Sequence, residues 1–465
     1  MSRIDVWPQT TNPSLLRWGS NDMKHSRDIS RREFLGGIAS LGAVTMQGGT
    51  NCPNAAEVTT GTNVQKRDLP LITSAPVLQN AAETTMGVAF AVSADASGWV
   101  EISQSPDMSG AKRIYSGSLG MMEVNDKIAQ ILVRGLRPAT RYWYRVGADR
   151  INYRGGYNMK NLGSEVDEKV HSFTTLGAEN RGSFCIINDT HEVPETLDRV
   201  FVKISELKPA AVVWNGDVIN KSEDIDHAMR AFITPHKNHP AYAADMPFMF
   251  LSGNHDFRGR FARHLERVWM FRDPAERCGR FAELGRNFVQ RIGDIALIGL
   301  DTGEDKPDDY PAFAGIFQME RYRDLQTQWL AEIVESSAIK TAKFKIAICH
   351  IPLFHPEWRN PQLPAGDGPI NGKCAAWSRP CATRWRPLLE KAGVNLVVAG
   401  HRHRFSYTTP DADCPWTQIV GGGCPKRPHK NGFATVVEGR EENGTLHLVV
   451  HDVSNGKIAL DEKIA

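Results

Sequence analysis

Short apolar runs at 184–187, 210–214, 248–251, 295–300, 344–349 and 396–399 alternate with amphipathic stretches such as 197–207 and 325–334. Runs that are apolar throughout read as strands covered on both faces, and the stretches between them read as the covering helices. The alternation therefore predicts an α/β layered domain, closed by β-like stretches at 433–438 and 446–453. Each run stops abruptly in polar or small residues. Asp189 and His191 follow the first, Gly216 and Asp217 the second, and Gly253, Asn254, His255 and Asp256 the third. His350 follows the fifth, and Gly400, His401 and His403 the last. In open α/β sheets the carboxyl ends of the strands converge on one crevice, so these residues become neighbours despite their separation in sequence.

Carboxylates, imidazoles and an amide oxygen suit divalent or trivalent first-row metals such as Fe, Mn or Zn. The chain has no paired Cys-x-x-Cys, which argues against a structural zinc knot and for a catalytic centre. Asp189 and His191 lie two apart, as do His401 and His403, so in extended or tightly turned backbone they can address one ion or two adjacent ions. Glycines at 216, 253 and 400 permit sharp turns that hand these side chains to the crevice.

With 465 residues the chain exceeds the roughly 250–300 at which one core stops growing, so more than one domain is expected. Region 69–175 has short alternating segments and no helical period, which reads as a small all-β sandwich. Its clearest strand carries Leu136, Pro138, Thr140, Tyr142, Tyr144 and Val146 at alternating positions. That pattern resembles a strand of fibronectin type III domains. A polar linker at 174–181 then leads into the α/β domain, 182–465. With 55 basic residues against 53 acidic, the net charge is +2, so no specific nucleic-acid binding is expected.

Ser30, Arg31, Arg32, Glu33, Phe34 and Leu35, followed by a mildly apolar stretch at 36–48, resemble a twin-arginine export signal within a flexible leader at 1–56. The stretch is too short and glycine-rich for a membrane span, which needs about 20 apolar residues. An exported protein, periplasmic or extracellular, that engages the twin-arginine export machinery is the expectation. Of eight cysteines, Cys374 with Cys381 and Cys414 with Cys424 lie close enough in loop-like sequence to pair, or to remain thiols. Cys185 and Cys349 lie inside apolar runs and read as buried.

The ordered set Asp-x-His, Gly-Asp, Gly-Asn-His-Asp, His and Gly-His-x-His across 184–406 resembles the calcineurin-like metallophosphoesterase superfamily. Asp301 and Thr302 after a strand, and 326–330 at a helix, fit the same family. With a sandwich in front, the arrangement is similar to purple acid phosphatases and their bacterial relatives. The resemblance implies a four-layer α/β/β/α domain. It implies one metal held by Asp189, His191, Asp217 and His403, and another held by Asp217, Asn254, His350 and His401. Asp217 would bridge them, and metal-bound hydroxide would attack a small phosphate ester in line, with Asn254 helping to neutralise the equatorial oxygens. Purple acid phosphatases place a tyrosine three residues after the bridging Asp. Asn220 stands there, and His191 supplies the ligand found in non-purple relatives.

His255 is the candidate general acid, with Asp256 orienting its ring. His355 is a candidate to face the substrate phosphate. Arg258, with Arg260 and Arg263 behind it, is either a bidentate phosphate ligand or part of a solvated arginine face. The proline-rich stretch 356–387 reads as a long loop beside the site or against the sandwich. A monoesterase is expected. A diesterase acting on nucleotides or glycerol phosphodiesters is the alternative within enzymes, and a non-catalytic exported binding protein the alternative outside them.

Overall fold

The computed structural model describes residues 69–271, 279–354, 375–424 and 433–464. The twin-arginine-like segment and His355 lie outside the described residues, as does Cys374. Two sheets face each other. The larger has nine strands in the order Lys457–Ile464, Thr445–Asp452, Thr435–Glu442, Ser183–Ile187, Ala211–Asn215, Phe248–Leu251, Val77–Gln79, Thr85–Ala91 and Ile128–Arg134. The smaller has six: Phe288–Ile292, Ile295–Leu300, Phe344–Cys349, Leu396–Ala399, Thr417–Val420 and Ser406–Thr408. Both sheets mix parallel and antiparallel pairs.

Alternation along each central strand explains the layers. Phe184, Ile186, Val213 and Met249 meet Leu297, Ile346, Ile348 and Val398 between the sheets. Cys185, Ile187, Val212 and Trp214 face outward onto Leu197, Val200, Phe201 and Ile204 of helix Pro194–Leu207. On the opposite side Ile298, Ala347 and Val397 carry Trp329 and Leu330 of helix Met319–Ile333. The result is a four-layer α/β/β/α domain. Helix Pro194–Leu207 starts where proline presets its first φ and stops where Lys208 turns left-handed, φ 49°, its N–H returning to Ile204 O.

The helix at Ala375–Ala392 departs from the sequence expectation, which placed a loop through 387. Pro380 and Pro387 lie inside it. Cys381, Trp385 and Leu389, spaced four apart, are buried together against the outer face of the six-stranded sheet. A fully buried stripe of that size outweighs the hydrogen bonds that two prolines remove.

The described region before residue 176, residues 69–175, is all-β. Its second sheet, in the order His171–Thr174, Arg141–Tyr153, Ala96–Ser103 and Lys112–Tyr115, packs over strands of the nine-stranded sheet. Val77–Gln79 pairs in parallel with Phe248–Leu251 through Gln79 and Phe248. The Leu78 N–H donates to Ala243 O and the Asn80 N–H to Phe248 O, each at 2.9 Å. The polar linker is pinned as well, since the Gly177 N–H donates to Arg291 O at 2.8 Å. Sandwich and α/β region thus form a single compact unit, Val64–Ala465.

Candidate metal centre

The carboxyl ends of Ser183–Ile187, Ala211–Asn215, Phe248–Leu251, Phe344–Cys349 and Leu396–Ala399 bring the strand-end residues together. Asp189, His191, Asp217 and His403 offer ligand atoms that all lie within 4.8 Å of one another, and so do Asp217, His350 and His401. Asp217 belongs to both groups. Its Oδ2 lies 3.4 Å from His191 Nε2 and 3.4 Å from His350 Nε2. His191 Nε2 also faces His403 Nε2 at 3.0 Å, and His403 Nε2 is 3.4 Å from Asp189 Oδ1. Asn254 Oδ1 lies 3.0 Å from His401 Nδ1.

Local backbone is bent to achieve this. Asp189, His191, Asp217, His401 and His403 have φ between 46° and 69°, the left-handed region that costs a non-glycine residue on the order of 1–3 kcal/mol. Such conformations persist where the surroundings over-determine them. Here the His191 N–H donates to Asp217 O at 2.9 Å, and the His401 N–H to Asp189 Oδ2 at 2.8 Å. Of the expected turn glycines, Gly216 does adopt φ +82°. Gly253 is needed for space instead, because a Cβ there would come within 2.3 Å of Asp217 Oδ1 and 2.8 Å of His350 Nε2.

The donor set fits cations. His350 is fully buried, its Nδ1 lies 2.8 Å from Asn215 O, and its Nε2 has no hydrogen-bond partner. Burial opposes a charge on that ring, yet Asp217 and Asp189 outweigh it and push the pKa up to about 10. Burial and the neighbouring His350 push His401 down to about 4. Burial likewise works against ionised Asp217, but His350, His255 and His191 hold its carboxyl below the usual range. A buried carboxylate pair ringed by imidazole nitrogens that face one another is a cradle for positive charge.

Around the cluster stand residues that hold it. Asn220 Oδ1 lies 3.1 Å from His191 Nδ1, so the amide oxygen accepts from that nitrogen and leaves Nε2 for the centre. The backbone oxygen of the same residue lies 2.9 Å from His255 Nδ1. A carbonyl only accepts, so His255 carries its proton on Nδ1 and turns Nε2 outward. Asp256 does not orient that ring. Its carboxylate accepts from the backbone N–H groups of Asp217 and Gly253, each at 2.8 Å, and of Ile219 at 3.3 Å, fixing the turn that presents Asp217. Burial and the nearby Asp217 charge lift the Asp256 pKa to about 7.

Arg258 does not present an open fork to a phosphate. Its Nε and Nη2 grip Glu304 at 3.0 and 2.9 Å, Nη2 also reaches Asp305 at 3.0 Å, and Nη1 lies 3.2 Å from His255 Nε2. Asp305 in turn accepts from Asn254 Nδ2 at 3.4 Å, which keeps the amide oxygen turned towards His401. Sequence reasoning missed Glu304, Asp305 and the holding role of Asn220. The available signal was two further carboxylates soon after the strand ending at Leu300. Cys424 keeps its thiol beside His403 and is not joined to Cys414, whose Sγ donates to Trp416 O at 3.3 Å.

Comparison with known proteins agrees with this geometry. No curated protein matches the chain. The purple acid phosphatase PPD1 from yellow lupin (Lupinus luteus) seeds has a similar structure, with a TM-score of 0.57 at 15% identity over 84% of this chain and 74% of that one. PhoD is similar too, with a TM-score of 0.53 at 12% identity over 84% of this chain and 92% of that one. At such identities the likeness speaks for the fold. The match of sequence to family spans residues 182–405, from the first of the converging strands to just past His403. Over those residues the chain matches the calcineurin-like phosphoesterase family.

Proposed function

We propose that the cluster holds two metal ions and that the protein hydrolyses phosphate monoesters after export. The observation that carries this reading is Asp217 Oδ2, equally close to one histidine of each ligand group. Asp189, His191, Asp217 and His403 would hold one ion, and Asp217, Asn254, His350 and His401 the other. Fe, Mn and Zn all suit that donor set. Bound there, two cations supply Lewis acidity and lower the pKa of water towards about 7.

The chain's own residues do the rest. Asn220 and Asn215 fix the rings of His191 and His350 through their Nδ1 atoms. Asp256 sets the turn of Asp217. His255, held at Nδ1 by Asn220 O, gives a proton to the departing alcohol from Nε2 in its doubly protonated form, in which Nε2 no longer accepts from Arg258 Nη1, and it is left as the neutral Nδ1–H ring. His355 remains a candidate for the substrate phosphate.

A second reading, phosphodiester hydrolysis, is favoured by the wall beside Asn254. There Arg258 and Lys306 are matched by Glu304 and Asp305, leaving no excess cation for the second negative charge of a monoester. Metal analysis combined with rates on matched aryl phosphate mono- and diesters tests both readings. Metal content near two with faster monoester turnover supports the first, and faster diester turnover the second. Bound metal without hydrolysis of either would leave an exported binding protein. Export rests on Arg31 and Arg32, and replacing both by lysine should retain the protein in the cytoplasm.

A further inference from the structure

Away from the strand ends, a second group of ligand-type side chains converges on the outer helical layer. Asp198 projects from helix Pro194–Leu207. His236 and His239 lie in the connection between helix Ile225–Phe232 and strand Phe248–Leu251. These residues share no member with the centre described above. Asp198 Oδ1 is 2.9 Å from His239 Nε2 and 3.7 Å from His236 Nδ1, and the ligand atoms of all three lie within 4.8 Å of one another.

The spacing can be compared with what a metal requires. Zinc–nitrogen and zinc–oxygen bonds of about 2.0–2.1 Å in a tetrahedron put neighbouring ligand atoms about 3.3 Å apart. The two observed separations bracket that value. The third, between the two imidazole nitrogens, is within 4.8 Å, so side-chain movements of up to roughly 1.5 Å would close the site, and three protein ligands leave the fourth corner to water.

The arrangement is also partly preorganised. A turn in which the His239 N–H donates to His236 O at 3.1 Å sets the His-x-x-His spacing. The two rings lie 5.4 Å apart, tilted by 36°. The His239 ring packs edge-on against Phe201, and the two imidazoles are only 9% and 19% exposed, whereas Asp198 remains 42% exposed and open to solvent. Hydrogen bonds from His239 and Asn238 hold the Asp198 carboxyl below its usual range, so it offers an ionised oxygen.

We propose that Asp198, His236 and His239 form a peripheral binding site for a divalent first-row cation of the zinc type, one that ties helix Pro194–Leu207 to the connection leading into the Asn254 strand. Two histidines and one carboxylate suit zinc over calcium or magnesium, which prefer oxygen ligands alone. The competing account is a simple ion-pair cluster with protonated rings, which would take up no metal.

The test is Zn²⁺ titration of the whole protein with its catalytic metals in place, read as bound zinc per chain after equilibrium dialysis. The intact protein should take up one equivalent more than the His236→Ala/His239→Ala variant, with catalytic metals and hydrolysis unchanged in both. Histidines elsewhere contribute equally to both proteins and cancel in the difference. Equal uptake would overturn the proposal. Should the double variant fold poorly, Asp198→Asn keeps the shape of the side chain and removes the anionic ligand. It should weaken zinc uptake at that site at least tenfold, and unchanged uptake in that variant would likewise overturn the assignment.

Discussion

Asn220 reaches both the candidate ligand and the candidate acid from one turn, its side-chain oxygen facing His191 and its backbone oxygen facing His255. Asn220→Ala removes the first contact, together with the Nδ2 bond to His191 O at 3.4 Å, and leaves the second. It should lower metal affinity or activity by about 10–100-fold, as loss of an outer-shell partner does, while His255 stays in place. Metal titration of the variant checks this, and wild-type affinity would show that His191 needs no such support. Because Asn220 stands where purple enzymes carry tyrosine, the metal-loaded protein should lack an intense visible charge-transfer band. His255→Ala should keep both metals and lose about 10²–10⁴ in rate on alkyl esters, whose leaving oxygen needs a proton, with a much smaller loss on an aryl ester. Equal losses on both esters would assign His255 to the phosphoryl oxygens instead. At this scale the residues that come together at the strand ends were readable in the sequence because each follows an apolar run. Their holders were not. A backbone carbonyl such as Asn220 O or Asn215 O has no side-chain signature, and Asp256, adjacent to His255 in sequence, turns back onto backbone amides instead.

Secondary-structure elements were readable where period and composition agreed. Strand Ser183–Ile187 and helix Pro194–Leu207 show such agreement, with an uninterrupted apolar run in one and buried residues at 197, 200, 201 and 204 in the other. Helix Ala375–Ala392 was hidden because its two prolines argue locally against a helix, and only contact with a distant sheet reverses that preference. Trp385 is the test of this account. It is fully buried, so Trp385→Ala should cost about 3–5 kcal/mol in urea unfolding, and a loss below about 1 kcal/mol would mean that the stripe does not anchor the helix. Gly253→Ala probes the other extreme, a turn with no spare volume. A methyl group 2.3 Å from Asp217 Oδ1 must displace that carboxylate, so both metals should be lost together.

Across the whole molecule, the sandwich and the α/β region share a sheet and a continuous core that includes Phe90, Tyr144, Phe184 and Leu297. Calorimetry should therefore show a single cooperative unfolding transition for the described unit, and two well-separated transitions would mean that the shared sheet couples the parts only weakly. No helix among the described residues is long and apolar enough to cross a membrane. Strand Phe248–Leu251, which delivers Asn254, has Ala211–Asn215 on one side and Val77–Gln79 on the other. Neither flank is an open edge, so its amides can reach solvent only when a large part of the protein opens. Hydrogen–deuterium exchange should therefore be among the slowest at this strand, so that Asn254 is rooted in a stretch that fluctuates little.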